Sequence, residues 1–427
     1  MKKKISLLTA SSIVVANMIG TGVFTSLGFQ LSAVQNSWTI LLLWLSGGLL
    51  SLFGAFAYAE LGTHFRQSGG DYIYLSRVFH PVMGYLSAWA GLVVGFSAPV
   101  ALAAMLFTKY LAPFGAGDSQ WLAITIIVST GLMHSFTISH SSRFHNNSTG
   151  IKILFIVGLL AIGFFSAGNS PGAYLFTNSW QQEVLKPGFA VSMLYVFFAY
   201  SGWNAAAYVA GEMDNPSKNL PRALIGSTLF VALLYVLFQL VLLKHATIAE
   251  MEGREAVTFI AFNNLLGNTG GKWVSFFIAL QLIATISAYL WVGPRVTHAL
   301  AKEHRLWQSL AKTNKHQVPV YAIWAHVIIA VVLVLTGSFE KVLLYAGFVL
   351  QLMVTLTVAA SLFLKTAGDT SVFKSPFKPW LQLLFLLFSA WVLVFTFIDK
   401  PLESAIGIGI LLLGLVMYCF DTPVKAS

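Results

Sequence analysis

Long apolar runs, separated by short stretches that carry the charges, prolines and asparagines, recur along the whole chain. Each run is far longer than the roughly ten-residue alternating segment of an outer-membrane strand. Each is instead close to the roughly 20 residues that a membrane-crossing helix needs. The runs predict spans over 6–30, 38–62, 81–112, 120–138, 149–168, 188–212, 221–245, 272–300, 318–336, 340–364, 378–397 and 402–420. The longest connections, near 63–80, 169–187, 246–271 and 301–317, run about 16–26 residues and leave no room for a soluble domain. The pattern is that of an all-α polytopic membrane protein with 12 transmembrane helices. Composition agrees: apolar residues are 57% of 427, or about 243, which would fill about twelve spans. Charged residues are only 9%, against roughly 25% in a soluble domain.

Charge then orients the spans. With the N-terminus inside, cytoplasmic segments hold 17 of the 25 Lys and Arg residues and outer segments hold seven. Only Lys152 is left, within the fifth span. Acidic residues split seven inside and eight outside, so the net charge of +10 is almost wholly a cytoplasmic surplus. That is the positive-inside pattern, with both termini cytoplasmic and the chain in the cell (inner) membrane. The basic balance reports topology and contact with anionic membrane lipid, and gives no reason to invoke nucleic acid. Met1-Lys2-Lys3-Lys4 followed by an apolar run imitates a secretory signal, but the many spans that follow favour a first span. A single cysteine, Cys419, excludes an intrachain disulfide and any cysteine-based metal cluster.

Two spans are interrupted in their middles. The first contains Asn17-Met18-Ile19-Gly20-Thr21-Gly22-Val23-Phe24, and the sixth contains Phe197-Phe198-Ala199-Tyr200-Ser201-Gly202-Trp203-Asn204. Glycine in a helix interior costs about 1 kcal/mol relative to alanine. One such glycine reads most simply as close helix packing. The pair says more, because spans one and six occupy corresponding places if the first ten spans are two inverted repeats of five. Paired interrupted helices in inverted repeats point to a secondary transporter with a midplane site. Freed N–H groups and the positive end of a half-helix attract a carboxylate, and freed carbonyls attract an ammonium. A zwitterionic amino acid offers both.

At these residues the chain resembles the amino acid–polyamine–organocation superfamily of transporters, and within it bacterial members of the L-amino-acid transporter branch. The matching pieces are Gly20-Thr21-Gly22-Val23-Phe24, Gln67-Ser68-Gly69-Gly70-Asp71-Tyr72-Ile73-Tyr74-Leu75, and Phe198-Ala199-Tyr200-Ser201-Gly202-Trp203-Asn204. The last continues through Gly211-Glu212-Met213 and Asn215-Pro216-Ser217-Lys218-Asn219-Leu220-Pro221-Arg222. The resemblance implies a five-plus-five inverted repeat with helices 1 and 6 broken. Its first repeat would cover 1–168 and its second 169–365, with two further helices in 366–427. It also implies that the substrate carboxylate meets the backbone N–H groups of Thr21, Gly22 and Val23. The amino group would meet carbonyls near Ile19, Phe198 and Ala199. Phe198 matches the family's aromatic gate, and Ser201 stands where several eukaryotic relatives carry glycine.

Its depth alone fits equally a snorkelling Lys152, whose ammonium reaches cytoplasmic water, and one held inside the bundle. In the resembling family, a lysine here sits where sodium-coupled relatives bind a cation. There it would bridge the first helix near Ala16 and Ile19 to the eighth, with Ser287 as candidate partner. A fixed ammonium in place of the metal implies sodium-independent transport, while a lysine that shifts its pKa readily when buried keeps proton coupling open.

No carboxylate lies mid-span, Glu60 and Glu212 falling at cytoplasmic ends. That disfavours arginine or polyamine and leaves neutral amino acids, small ones such as alanine, serine or threonine, or larger apolar ones. Tyr200, Trp203, Asn204, Gln281, Ser287 and Tyr289 are candidates to shape a pocket, against the plainer reading of helix–helix hydrogen bonds. The ten histidines show no HExxH pattern, and no GxSxG or DDxxD sequence supports an intramembrane enzyme. No metal or other cofactor is expected. A channel filter needs a repeated ring of carbonyls or charges, which is not seen. Animal heteromeric relatives use an extracellular cysteine to join an accessory glycoprotein; this chain lacks one, so no disulfide-linked subunit is expected.

Overall fold

The computed structural model describes residues 4–115, 119–136, 141–166, 174, 176–364 and 372–421. Lys2, Lys3, Lys365 and Lys425 of the charge argument lie outside these residues, as does the side chain of Arg143. In chain order the helices are α1 (Leu7–Met18), α2 (Gly22–Gln30), α3 (Ser37–Phe65), α4 (Asp71–Val78), α5 (Pro81–Ala90) and α6 (Ser97–Leu111). There follow α7 (Gln120–Phe136), α8 (Ser141–Phe165), α9 (Trp180–Val184), α10 (Pro187–Tyr200), α11 (Pro216–His245) and α12 (Ile248–Met251). The last five are α13 (Val257–Glu303), α14 (Val320–Thr336), α15 (Phe339–Leu362), α16 (Trp380–Asp399) and α17 (Pro401–Phe420).

The helix ends are set by residues that replace missing backbone hydrogen bonds. Asn36 accepts from the Trp38 amide at 2.9 Å to open α3, and Thr247 with Glu250 forms a capping box on α12. Pro187, Pro216 and Pro401 stand in the first turns of α10, α11 and α17, where no amide is needed. Between α5 and α6 the helix widens into a π-helical segment over Gly91–Phe96. There the Ser97 hydroxyl donates to the Leu92 carbonyl at 2.7 Å, supplying a donor where the ladder is widened.

Among the described residues, eight helices are long and apolar enough to cross a membrane: Leu7–Gln30, Ser37–Phe65, Pro81–Phe114, Pro216–His245, Val257–Glu303, Phe339–Leu362, Trp380–Asp399 and Pro401–Phe420. The expected fourth and ninth spans appear as shorter apolar helices, Gln120–Phe136 and Val320–Thr336, and the expected fifth lies within the 25-residue α8. The expected sixth is divided into α10 and a short 3-10 turn over Ala205–Glu212. Pieces under about 20 residues fall short of the hydrocarbon thickness when counted singly. The long connection expected over 246–271 is largely helical, because α13 begins at Val257 and bends at Gly267, whose φ is 71°.

In the bundle, α11 lies along α3 and α1, α13 lies against α6, and α10 fits between α2, α3 and α16. One face of α3 carries Gly47, Gly48, Gly54 and Gly62, where an added Cβ would meet Val196, Ala232, Trp203 and Leu220. Small residues bring membrane helices close enough for dispersion contacts to hold them. Only 17% of the most apolar stretch of α17 is buried, against 78% for Pro81–Phe114, so α17 lies at the periphery with apolar side chains facing outward. At the end of the bundle that carries the N-terminus, Ile5 pairs its backbone with Glu212 and Asp214, both bonds 2.9 Å. At the opposite end, the Gly28 carbonyl accepts from the Gly253 amide at 2.9 Å, and a Cβ on Gly28 would run into the Arg254 carbonyl.

Gly28 and Gly226 therefore respond differently to alanine. Gly28→Ala forces two backbones apart and should cost about 1–3 kcal/mol. Gly226 in α11 has open space around it, so Gly226→Ala should be neutral or stabilise by about 0.5–1 kcal/mol. Thermal unfolding of the two purified variants checks this, and equal melting temperatures would count against the close approach.

Candidate functional site

The two helix breaks face each other at the centre of the bundle. α1 ends at Ile19 (φ −74°, ψ 84°) and α2 starts afresh at Gly22. α10 ends at Ser201 (φ −52°, ψ 147°), and Gly202 follows with a φ of 98° that a side chain rarely adopts. A Cβ on Gly202 would stand 2.8 Å from the Asn17 backbone, and one on Gly22 would run into the Ala199 backbone. Each break thus occupies the space that a side chain would need on the other. The amides of Gly22 and Val23 open α2 and have no acceptor within it, so the positive end of that half-helix points at the gap.

The other half-helix presents carbonyls, and side chains from three helices meet them. Lys152 of α8 donates from Nζ to Ile19 O at 3.0 Å, to Ala16 O at 3.4 Å and to Thr285 Oγ1 of α13 at 2.9 Å. Tyr289 of α13 donates to Asn17 O at 3.2 Å, and Tyr235 of α11 donates to Met18 O at 2.6 Å. Lys152 is 2% exposed, so its ammonium sits among these oxygens and does not snorkel to water. Two carbonyls and a hydroxyl are the kind of oxygen donors that a hard metal cation takes; here an ammonium occupies their centre. A cation at the carbonyl end of a helix is also favoured by the helix dipole.

A small cavity lies in the gap, lined by Thr21, Gly22, Phe198, Ala199 and Ser201 together with Asn17, Thr285 and Tyr289. The structure brings these five expected residues together. Val23 is wholly buried in the core, and Ile19 turns its carbonyl to Lys152. Ser287, the expected partner of Lys152, is not one. It lies two positions beyond Thr285, about 200° around the helix, and is hydrogen-bonded to His134 Nε2 at 2.8 Å. Among the other candidates, Trp203, Asn204 and Tyr289 line cavity walls, whereas Tyr200 turns away to donate to Trp44 O at 2.9 Å.

A larger cavity adjoins the first and shares Asn17, Phe198, Ser201 and Tyr289 with it, extending past Asn204 and Tyr208 toward the N-terminal end of the bundle. On the far side the gap is shut. Tyr110 donates to Phe24 O at 2.9 Å, Ser275 donates to Tyr110 O at 2.6 Å, and Phe24 packs edge-on against Phe238.

Sequence reasoning missed Thr285 and Tyr235, which complete the cap of α1, and Asp71, which lines the larger cavity. A signal for Thr285 was present: Gln281, Thr285 and Tyr289 repeat every four residues and share one face of α13. It also missed His326, fully buried between Ser97 Oγ (2.8 Å) and Thr297 Oγ1 (3.0 Å) beside Phe96 of the cavity wall.

A family profile described as "Amino acid permease" matches residues 5–420. The chain is 27% identical over 436 residues to the serine/threonine exchanger SteT of Bacillus subtilis, covering 100% of this chain and 98% of that protein. It is 28% identical over 436 residues to the human Asc-type amino acid transporter 1, covering 98% and 82% of the two chains. It is likewise 27% identical over 431 residues to the human large neutral amino acids transporter small subunit 2, covering 98% and 80%.

The two α13 hydroxyls should separate cleanly in a mutational test. Thr285→Val removes one of the three oxygens around Lys152, and a hydrogen bond to a charged group is worth about 1.5–3 kcal/mol. Uptake of label by Thr285→Val should fall about tenfold, while Ser287→Ala should stay within about twofold. The reverse order would show that Ser287 is the partner that matters.

Proposed function

The chain belongs to the amino acid permease family, and on that premise we propose that it is a sodium-independent secondary transporter of neutral L-amino acids, working by alternating access as an exchanger. It is a membrane transporter, not an enzyme. The reading includes 12 spans, ten of them in two inverted repeats over 1–168 and 169–365, with the last two in 366–427. It also places both termini in the cytoplasm, so that the larger cavity opens inward.

The observation that supports sodium independence most is the Lys152 ammonium among Ala16 O, Ile19 O and Thr285 Oγ1. A fixed positive charge there repels a metal ion and meets the same oxygens. In this reading the substrate carboxylate lies against the amides of Thr21, Gly22 and Val23, and its amino group lies near the Ile19, Phe198 and Ala199 carbonyls. Ile19 O accepts from Lys152, and a carbonyl keeps a second lone pair for the substrate. Among the described residues, no charged side chain lines the small cavity, which suits a neutral substrate side chain. Serine/threonine exchange is what the name of the Bacillus subtilis relative describes; large neutral amino acids are what the name of the third relative describes. Cys419 is exposed at the end of α17, on the proposed cytoplasmic side, so the transporter works without a disulfide-linked accessory subunit.

Lys152 also favours a second reading. Its three hydrogen-bond partners are all uncharged oxygens, so loss of its proton would relieve an uncompensated buried charge, and proton-coupled symport could run through it.

Purified protein in liposomes should exchange a neutral L-amino acid in sodium-free buffer, and preloaded unlabelled amino acid should accelerate entry of label. A panel of amino acids that shows neither uptake nor binding would sink the proposal, and uptake that acidifies the lumen without needing preload would select the symport reading. In the same assay Lys152→Ala should lower transport about tenfold or more, the loss of at least one charged hydrogen bond, with expression and folding largely intact. Unchanged kinetics would remove Lys152 from the mechanism.

A further inference from the structure

The segment Ser68-Gly69-Gly70-Asp71 wraps around Tyr208 in the turn that follows the second helix break. Gly69 N donates to Tyr208 O at 3.1 Å, and Ser68 Oγ accepts from Gly211 N at 3.1 Å. Gly70, with a φ of 54°, lies so close to the Tyr208 ring that a Cβ would stand 2.7 Å from it. This packing turns the Asp71 side chain into the bundle although α4 spans nothing. One carboxylate oxygen accepts from the Tyr58 hydroxyl, and the other accepts from the Tyr208 hydroxyl at 2.7 Å.

The carboxylate is 7% exposed, and among the described residues no lysine, arginine or histidine forms an ion pair with it. Burying an ionised carboxylate without a counter-charge costs several kcal/mol, which hydrogen bonds from uncharged hydroxyls offset only in part. Burial accordingly pushes the Asp71 carboxyl above its ordinary value, and the hydroxyls of Tyr58, Tyr208 and Thr357 pull it back. Asp71 also lines the larger cavity, whose wall carries no Lys, Arg or His among the described residues, but offers Asn17, Asn204 and Gln351 and the aromatic rings of Phe96, Trp203 and Tyr208. Such a wall holds hydrogen-bond acceptors and π faces, both of which attract an organic cation. A metal ion would need several converging oxygen ligands, and among the described residues no group of three acidic, histidine or cysteine side chains could hold one.

We propose that the Asp71 carboxylate, held between Tyr58 and Tyr208, is a second binding site, on the cytoplasmic side, for the ammonium group of an amino acid entering or leaving the central site. The inference rests on the transporter reading and its inward-opening cavity. It assigns an electrostatic role to a residue of the Gln67–Leu75 motif. It also gives the cytoplasmic path a preference for neutral and cationic solutes over anionic ones.

The test uses the full-length protein in proteoliposomes of uniform orientation, with half-saturation measured separately at each face for whichever neutral amino acid the wild type exchanges. Asp71→Asn should raise the half-saturating concentration about tenfold at the cytoplasmic face and less than about twofold at the other. Asp71→Glu, which keeps the charge, should recover part of the loss. An unchanged cytoplasmic value, an equal shift at both faces, or a Glu variant as impaired as the Asn variant would each overturn the proposal. Should Asp71→Asn fail to fold, the wild type still decides. Ethylammonium at the cytoplasmic face should slow exchange competitively where acetate does not, and equal effects would overturn the site. If the wild type exchanges no neutral amino acid, the transporter reading fails and takes this one with it.

Discussion

A helix that stops in the middle of an apolar bundle leaves its last carbonyls without donors, and the rest of this structure is arranged around satisfying them. The end of α1 is met by Lys152 from α8, Tyr289 from α13 and Tyr235 from α11. These helices are distant in sequence, Lys152 standing 133 residues from both Ile19 and Thr285. The break at Ile19 is therefore a junction as well as a gap, and moving α1 means breaking or exchanging these hydrogen bonds.

The second constraint is steric. Two helix breaks share one small volume because Gly22 and Gly202 leave room for Ala199 and Asn17. Glycine costs helix stability, so the close approach must return more than the propensity lost. What results is a site with the amide end of α2 on one side and a capped carbonyl end on the other. It is shut on the side away from the N-terminus by Tyr110 and Phe24, and joined on the N-terminal side to a cavity whose wall includes Asp71. Such asymmetry fits alternating access, in which a central site communicates with one face at a time.

Much of this was legible in the sequence. Apolar runs marked the helices, and the breaks at Gly20-Thr21-Gly22 and Ser201-Gly202 fell where the chain leaves helical geometry. Lys152 was conspicuous because charge inside an apolar run is expensive. Other features were hidden for identifiable reasons. Ser287 and Thr285 are both hydroxyl residues on α13, and two positions decide which side of the helix each occupies. Asp71 stood in the Gln67–Leu75 motif with no role attached, since its burial depends on contacts with Tyr58 and with Tyr208, 137 residues away. The helical segment from Val257 was masked by the polar residues Asn263, Asn264 and Asn268 around its bend at Gly267.

The division has a physical basis. Hydropathy, glycine content and the imbalance of charge are properties of local segments, so the sequence by itself determined that this chain lives in a bilayer as helices and where two of them are interrupted. Which oxygens surround the Lys152 ammonium, which hydroxyls hold Asp71, and which end of the central gap is closed depend on segments far apart in the chain, 133 residues for Lys152 and Thr285 and 137 for Asp71 and Tyr208. Only the tertiary structure decided those, because a buried polar group is satisfied by whatever lies next to it in space, and that neighbour is set by packing.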